Sequence, residues 1–374
     1  MPHETTRTIE GVCGRSLFVG IVGTSLNTQV SDLLARVKPG GIILFKRNVA
    51  SLPDLVALCS DLRRAVDPPP LLAIDEEGGR VTRLTPHVTG LPPASITASQ
   101  PVERLREYWR RYGDLLALLG IDIDFAPVVD LCSPDAVNGI ADRSYGTDPQ
   151  LVAGCGSAAI EGLMEAGVLP TLKHFPGLGN TPLDSHDHLP SIQKDREAFE
   201  REDLFPFIAL ASRSPAVMVG HGHYPFYAGP DPRAATLSSE ICTDLLRGRI
   251  GFGGTAISDD LEMKAVAARV AWEDLAPRTI ESGCDMILIC HQTERILAAH
   301  EAIVKRARSD ARFSARCEEA ARRVDALRRL AWAARARAHT SRGKTAAGEI
   351  LVDRLDRARA SLMQAAGEMG EARA

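Results

Sequence analysis

The apolar residues of this chain fall into short runs that alternate with longer stretches of mixed polarity. We predict a strand at each of eight such runs: 16–23, 40–45, 71–75, 121–131, 168–175, 216–225, 254–260 and 284–290. Several of these runs are apolar at every position instead of at every second one. That pattern is typical of parallel strands that are covered by helices on both faces.

Helix-length stretches separate these runs. We predict helices at 27–37, 52–65, 101–119, 148–166, 197–212, 238–248, 264–282 and 293–308. Helix-entry signals precede some of them, such as "SLPDL" after the second strand. Eight strands alternating with eight helices is the count for a (β/α)8 TIM-type barrel in the α/β class, and a doubly wound open sheet is the competing architecture.

The chain continues beyond the length that such a barrel needs. The stretch after residue 309 reads as a long helix, the polar break "TSRGKT" follows it, and a last amphipathic helix is predicted near 347–366. We therefore divide the chain into a barrel domain at 1–335 and a linker with a C-terminal helical extension at 336–374.

Charge and cysteine usage narrow the classes of function. The net charge is −4, from 44 basic and 48 acidic residues, so the balance gives no basic field for nucleic acid. The eight cysteines are scattered without a CxxC pair, which favours reduced thiols over a disulfide framework or a zinc site. No basic-then-apolar signal segment and no apolar run of about 18 residues is present, so we expect a cytoplasmic protein without a membrane partner.

Polar residues gather where the predicted strands end. Barrel enzymes carry their catalytic groups at these carboxyl ends and in the loops that follow. Here the residues at these positions are Asp75, Arg83, Arg143, Lys173, His174, Asp184, His186, His221, His223, Asp259 and Asp260. Since such charges are costly in a core, we expect them to converge on one rim.

This inventory limits the reaction. The chain has no GxSxG elbow, no phosphate loop and no dinucleotide fingerprint. A carboxylate-based glycosidase and a His/Asp metal hydrolase remain. In the second, "HGH" at 221–223 would share a metal with His174, His186 and Asp259. A third class is a sugar-binding or regulatory protein built on an inactive barrel.

The glycosidase interpretation assigns two chemical roles. Such an enzyme needs a carboxylate below the sugar ring and a proton donor near the leaving oxygen. Asp259 can be that carboxylate. His186 can be the donor, because Asp184, two residues earlier, can fix its tautomer and keep its pKa near neutrality.

Several sequence blocks, taken in order, resemble glycoside hydrolase family 3, specifically its single-domain β-N-acetylglucosaminidase branch. The matching blocks include "GGIILFKRN", "AIDEEGGRVTRL", "ADRSYGTDP", "KHFPGLGNTPLDSHDHLP", "VMVGHGHYP" and "ISDDLEM", and they extend from about residue 15 to 335. The departures from the family pattern are Glu76, Leu178, Asn180 and Gly220. None of these departures removes a catalytic group.

The resemblance implies a retaining mechanism with Asp259 as nucleophile and Asp184 with His186 as the acid/base dyad. The residues that it implies for sugar binding are Asp75, Arg83, Arg143, Lys173 and His174. We add His221 to this set, because one of His221 and His223 is expected to line the pocket while the other faces the barrel wall. The resemblance implies a small carbohydrate as partner, no cofactor or metal, and a monomer or homodimer. The expected substrate is a terminal β-linked N-acetylglucosamine on a cell-wall fragment, and a phosphorylase or a β-glucosidase on the same site are the alternatives.

Overall fold

The fold is an eight-stranded parallel barrel, seen in a computed structural model that describes residues 8–133, 136, 139–179, 181, 188–341 and 351–371. The strands close in chain order, and Phe18 of the first is in register with Leu288 of the last. Their bounds are β1 Leu17–Gly20, β2 Gly41–Leu44, β3 Leu71–Ile74, β4 Ile123–Asp124, β5 Leu169–Phe175, β6 Ala216–Val219, β7 Thr255–Asp260 and β8 Met286–Ile289. The predicted (β/α)8 barrel is confirmed.

Helices surround the barrel and cap its ends. Their bounds are α1 Ile9–Arg15, α2 Thr28–Val37, α3 Leu52–Ala65, α4 Ala94–Thr97, α5 Val102–Leu119, α6 Pro149–Ala166, α7 Arg196–Arg201, α8 Phe205–Leu210, α9 Pro225–Ala228, α10 Lys264–Ala267, α11 Trp272–Ser282, α12 Thr293–Ser309, α13 Ala311–Ser341 and α14 Leu351–Glu371. A π-helical segment at Glu240–Arg249 lies between β6 and β7. The predicted helices at 197–212 and 264–282 are each divided into two.

Side chains fill the inside of the barrel, so it is a core and not a channel. The inward-facing residues form one apolar cluster with residues of α13, namely Phe18, Ile43, Leu71, Ala73, Ile123, Phe125, Leu169, Ala216, Met218, Ile257, Met286, Leu288, Cys290, Val324, Leu327, Ala331 and Ala334. Helix α13 therefore closes the barrel at the amino ends of the strands, which leaves the carboxyl ends for a functional site.

Buried carboxylates at the amino ends of the strands hold α13 in place. Asp285, fully buried, accepts hydrogen bonds from Arg316 at 2.8 Å and from Arg323 at 3.1 Å, both on α13. Asp122 lies 3.4 Å from Arg335 of the same helix. The predicted domain boundary after residue 335 thus falls within a continuous helix, and the division of the chain there stays a prediction.

The last helix packs on the outside of the barrel. Gln100 donates a hydrogen bond to the carbonyl of Met369 at 2.9 Å, and Arg111 of α5 donates to that of Ser361 at 3.3 Å. Among the helices of the described ranges, none combines the length and the apolar composition that crossing a bilayer requires.

Candidate active site

The carboxyl ends of the strands enclose a cavity of about 400 Å³. Its lining comes from the ends of seven strands, β2 to β8, and the loops after them: Phe45, Asp75, Glu77, Arg80, Val81, Arg83, Ile140, Arg143, Lys173, His174, Met218, Asp259, Asp260, Met263, Leu288, Cys290 and His291. Six of the residues predicted for the site line this cavity: Asp75, Arg83, Arg143, Lys173, His174 and Asp259. These six residues therefore lie together at one rim of the barrel.

Register irregularities occur where the predicted site residues leave the sheet. Between β5 and β6, Leu172 pairs with Val217 and Phe175 with Val219, so β5 has one extra residue in the interval that holds Lys173 and His174. The β7–β8 pairing has a similar shift between Ile257 and Asp260, which includes Asp259. Such bulges change the direction of side chains at the rims of barrels. Consecutive residues can therefore face the same cavity.

Lys173 is the centre of a buried charge network. Its side chain is only 2% exposed, and its Nζ lies 2.9 Å from Asp75 Oδ1 and 2.5 Å from Glu77 Oε1. Glu77 also receives two hydrogen bonds from Arg143, at 2.7 and 2.9 Å, and Asp75 receives one from Arg83 at 3.1 Å. Charge-assisted bonds of this kind hold planar groups in fixed directions.

The network keeps its carboxyl groups ionised. Burial raises the pKa of Asp75, but Lys173 and Arg83 outweigh that effect and the pKa is lowered overall. Burial likewise opposes ionisation of Glu77, and the charges of Arg143 and Lys173 hold its pKa below the ordinary value. The site therefore presents fixed acceptors and donors, which is what recognition of sugar hydroxyls requires.

His174 is held in one tautomer. Its Nδ1 lies 2.6 Å from Asp130 Oδ2 and its Nε2 lies 3.3 Å from Arg143 Nη2. Because a guanidinium can only donate, Nε2 accepts and Nδ1 donates to Asp130. Asp130 is fully buried and also accepts from the backbone of Leu178 at 2.9 Å, so it holds the start of the loop that follows β5.

The end of β7 carries the carboxylate predicted as nucleophile. Asp259 Oδ1 accepts a hydrogen bond from the backbone of Asp260 at 2.8 Å, and the side chain borders the cavity. His221 holds this strand end through a hydrogen bond, because its Nε2 lies 2.9 Å from the Asp260 carbonyl. The other ring nitrogen, Nδ1, lies 2.9 Å from Thr236 Oγ1.

The two histidines in the loop after β6 differ from the rest of the predicted set in their position. His221 is fully buried and is absent from the cavity lining. His223 is also buried, with Nδ1 3.2 Å from the carbonyl of Arg233. The described residues contain no group of three or more His, Cys, Asp or Glu side chains arranged to hold a metal ion. His221 thus contacts the strand of Asp259 through the backbone.

Asp184 and His186, the predicted acid/base dyad, lie outside the described residues, as does Asn180. On either side of that stretch, the backbone of Leu178 donates a hydrogen bond to Asp130 and Ser191 forms a bridge with His223. The two roles therefore stay predictions that depend on the sequence motif.

Glu77 and Asp130 are site residues that the sequence did not identify. Glu77 follows Asp75 by two residues, so the alternation of side chains along a strand offered a signal that it faces the same way. Asp130 lies near the end of the stretch "DFAPVVDL" at residues 124–131, without any spacing that sets it apart. Its contact with His174 joins residues 44 positions apart, which no local pattern shows.

Asp260 makes stability depend on pH. Burial raises the pKa of its carboxyl group to about 7, with the charges of Glu262 and Asp259 adding to the effect. The folded state then binds this proton more tightly than the unfolded chain, so the free energy of unfolding falls as pH rises from about 4 to about 7. We compare the free energy of unfolding of Asp260→Asn with that of the wild type. The difference, variant minus wild type, should rise by roughly 3 kcal/mol between pH 5 and pH 8.

Chemical denaturation of both proteins at the two pH values measures this gain. A constant difference between variant and wild type at pH 5 and pH 8 would contradict the assignment of this titration to Asp260.

Comparisons with known proteins agree with the geometry. Residues 16–327 match the family model described as glycosyl hydrolase family 3 N terminal domain. A protein named Beta-hexosaminidase from Xylella fastidiosa (strain M12) is 38% identical over 284 residues, which cover 74% of this chain and 83% of that protein. A second Beta-hexosaminidase, from Idiomarina loihiensis, is 37% identical over 282 residues, with the same two coverages of 74% and 83%.

Solved structures give the same result. A glycoside hydrolase family 3 beta-N-acetylglucosaminidase from Paenibacillus sp. str. FPU-7 superimposes with a TM-score of 0.85 at 32% identity, covering 97% of this chain and 69% of that chain. A Beta-N-acetylhexosaminidase from Beutenbergia cavernae has a TM-score of 0.79 at 28% identity, covering 85% and 98%. With a family model that spans most of its length, the chain belongs to glycosyl hydrolase family 3.

Proposed function

We propose that this protein is an exo-acting, retaining β-N-acetylglucosaminidase that removes a terminal β-linked N-acetylglucosamine. The activity named for the relatives from Xylella and Paenibacillus supports the reaction class. The observation that carries the proposal is the position of Asp259. This carboxylate borders the same cavity as the charge network of Asp75, Glu77 and Lys173.

The cavity supports exo action. Its β3–β5 side is formed by buried, paired charges, with Lys173 2% exposed and Glu77 5% exposed. Hydroxyls at the non-reducing end of a sugar can bind such donors and acceptors, whereas a longer chain would have to displace the network. Binding of that end therefore directs the anomeric carbon toward Asp259, because β7 lies opposite β3 in the closed barrel.

The proposed chemistry has two steps. In the first, Asp259 bonds to the anomeric carbon while the bond to the leaving oxygen breaks, and His186 gives its proton to that oxygen. In the second, His186 takes a proton from water, and the water oxygen replaces Asp259 at the same carbon. Asp184 orients His186 in both steps. Two displacements retain the configuration of the anomeric centre.

Cell-wall fragments that end in β-linked N-acetylglucosamine are the proposed natural substrates, met in the cytoplasm. All eight cysteines are free and buried, as is usual where thiols stay reduced. The proposed partner of the site is thus a small carbohydrate.

One assay tests the proposed reaction. We expect the purified protein to hydrolyse an aryl-β-N-acetylglucosaminide with a kcat/KM at least about tenfold above that for the matched aryl-β-glucoside, with little change on addition of phosphate. Release of N-acetylglucosamine 1-phosphate in phosphate buffer would instead identify a phosphorylase. Preference for the glucoside would identify a β-glucosidase, and loss of activity after chelation would favour the metal hydrolase.

A further inference from the structure

The cavity has two unlike sides. The side formed by β3 to β5 carries the charge network described above. The opposite side, between the ends of β7, β8 and β2, carries an aromatic ring at Phe45, a carboxyl at Asp260, an imidazole at His291, and apolar surface from Met263 and Leu288. The hydroxyl groups of a sugar cannot hydrogen-bond to the apolar part of this side.

His291 is a fixed hydrogen-bond donor on this side. Its Nδ1 lies 3.1 Å from Arg47 Nη1, and Arg47 is itself held by a 2.9 Å hydrogen bond from Nε to the Ile21 carbonyl. Because the guanidinium only donates, Nδ1 of His291 accepts and the ring hydrogen is on Nε2. Burial and the charge of Arg47 lower the pKa of His291, so the ring is neutral at pH 7.

The backbone holds His291 as well. Its amide N–H donates to Glu262 at 2.5 Å, and the next amide, of Gln292, donates to the same carboxylate at 3.2 Å. The imidazole is half exposed at 54%, and His291 is one of the residues that line the cavity. Both the ring's position and its tautomer are therefore set before a substrate arrives.

An acetamido group presents an N–H donor, a carbonyl acceptor and a methyl group within one short planar unit. His291 Nε2 lies 3.7 Å from Asp260 Oδ2, and the imidazole and Phe45 rings are 5.4 Å apart between centroids. Nε2 of His291, the carboxyl of Asp260 and the ring of Phe45 are thus grouped next to the strand of Asp259, with Arg47 4.5 Å and Arg83 5.4 Å from the centroid of the same ring. The acetamido group is attached to C2 of the sugar, which is bonded to the anomeric carbon. The group therefore lies near the residues beside Asp259.

We propose that His291, Asp260 and Phe45 form the subsite that reads the 2-acetamido group, with His291 donating to its carbonyl from Nε2, Asp260 accepting from its N–H and Phe45 contacting its methyl. Arg47 is a positioning residue that fixes the tautomer of His291. This inference depends on the proposed β-N-acetylglucosaminidase activity and adds the residues that select the substrate.

The test compares two substrates in matched variants. His291→Phe keeps a ring beside Phe45 but removes the donor, and His291→Gln keeps an N–H donor. We measure kcat/KM for an aryl-β-N-acetylglucosaminide and for the aryl-β-glucoside with the same leaving group. We expect the ratio of the two to fall about tenfold in His291→Phe, because the amide carbonyl then lacks its partner, and to recover at least in part in His291→Gln.

His87→Phe, a histidine outside the cavity lining, is the control and is expected to keep the wild-type ratio. Equal losses on both substrates in His291→Phe, or no loss on either, would overturn the inference while the wild-type activity still supports the enzyme. A wild type that prefers the glucoside, or that cleaves neither substrate, would instead overturn the proposed function. Thermal unfolding of each variant shows whether it is folded.

Discussion

Asp259→Ala loses at least about 1,000-fold of kcat/KM on an aryl-β-N-acetylglucosaminide, because the variant lacks the carboxylate that bonds to the anomeric carbon in the proposed mechanism. The side chain borders the cavity, and the charge network on the β3–β5 side does not include it. Ligand binding should therefore survive in the variant. Steady-state kinetics measures the loss, and titration with N-acetylglucosamine measures the retained binding.

Asp32→Asn is the matched control, since Asp32 is an exposed carboxylate on α2. It should keep wild-type kinetics. Azide should partly restore Asp259→Ala by occupying the space of the lost carboxylate, and the product should have the α configuration because only one displacement then occurs. An Asp259→Ala variant with near wild-type activity would reject Asp259 as the nucleophile.

Lys173→Met affects both stability and activity. The substitution leaves the carboxylates of Asp75 and Glu77 without the cation that lies between them. Breaking a buried ion pair costs about 3 to 5 kcal/mol of unfolding free energy. We expect a loss of that order in chemical denaturation, and a fall of about 100-fold in kcat/KM because the hydroxyl-binding groups lose their fixed directions.

Lys46→Met serves as its control, because Lys46 is exposed in the loop after β2 and outside the lining of the cavity. Lys46→Met should change the free energy of unfolding by no more than about 0.5 kcal/mol and should keep the wild-type kcat/KM. If Lys173→Met were as stable and as active as the wild type, the network would not be the sugar-binding side of the cavity.

The fold followed from the sequence because the strands are buried on both faces. Every residue of β1, β2, β3, β5, β6 and β8 is buried, which is the condition that produces unbroken apolar runs. The runs 121–131 and 216–225 were exceptions, since only Ile123–Asp124 and Ala216–Val219 are strands within them. Pro127 lacks an N–H for a sheet ladder, and Asp130 instead bonds to His174.

Helix bounds were less predictable where two short helices share one apolar pattern. The stretch 264–282 contains α10 and α11, and Arg269 and Val270 lie between them. Hydrophobic periodicity shows which face of a helix is buried. Two consecutive helices that pack on the same core can have the same periodicity, so the break between them is not visible in the pattern.

The site was predictable to the extent that its residues lie at strand ends. Asp75, Lys173 and Asp259 follow that rule and line one cavity. The partners that fix them were not predictable, because Arg143 and Glu77 meet across 66 residues and Lys173 and Asp75 across 98. Such contacts depend on the closed barrel, which brings distant strand ends together. His221 shows the converse, since a polar residue at a strand end can be fully buried and absent from the cavity lining.

The most direct test of the central claim is to trap the glycosyl-enzyme. A 5-fluoro derivative of an activated N-acetylglucosaminide slows both steps, so that the covalent intermediate accumulates and can be located by mass spectrometry of peptic peptides. The account predicts one added sugar per chain, bonded to Asp259 and absent from Asp259→Ala. A label on another residue, or complete turnover with no label at any time, would contradict it.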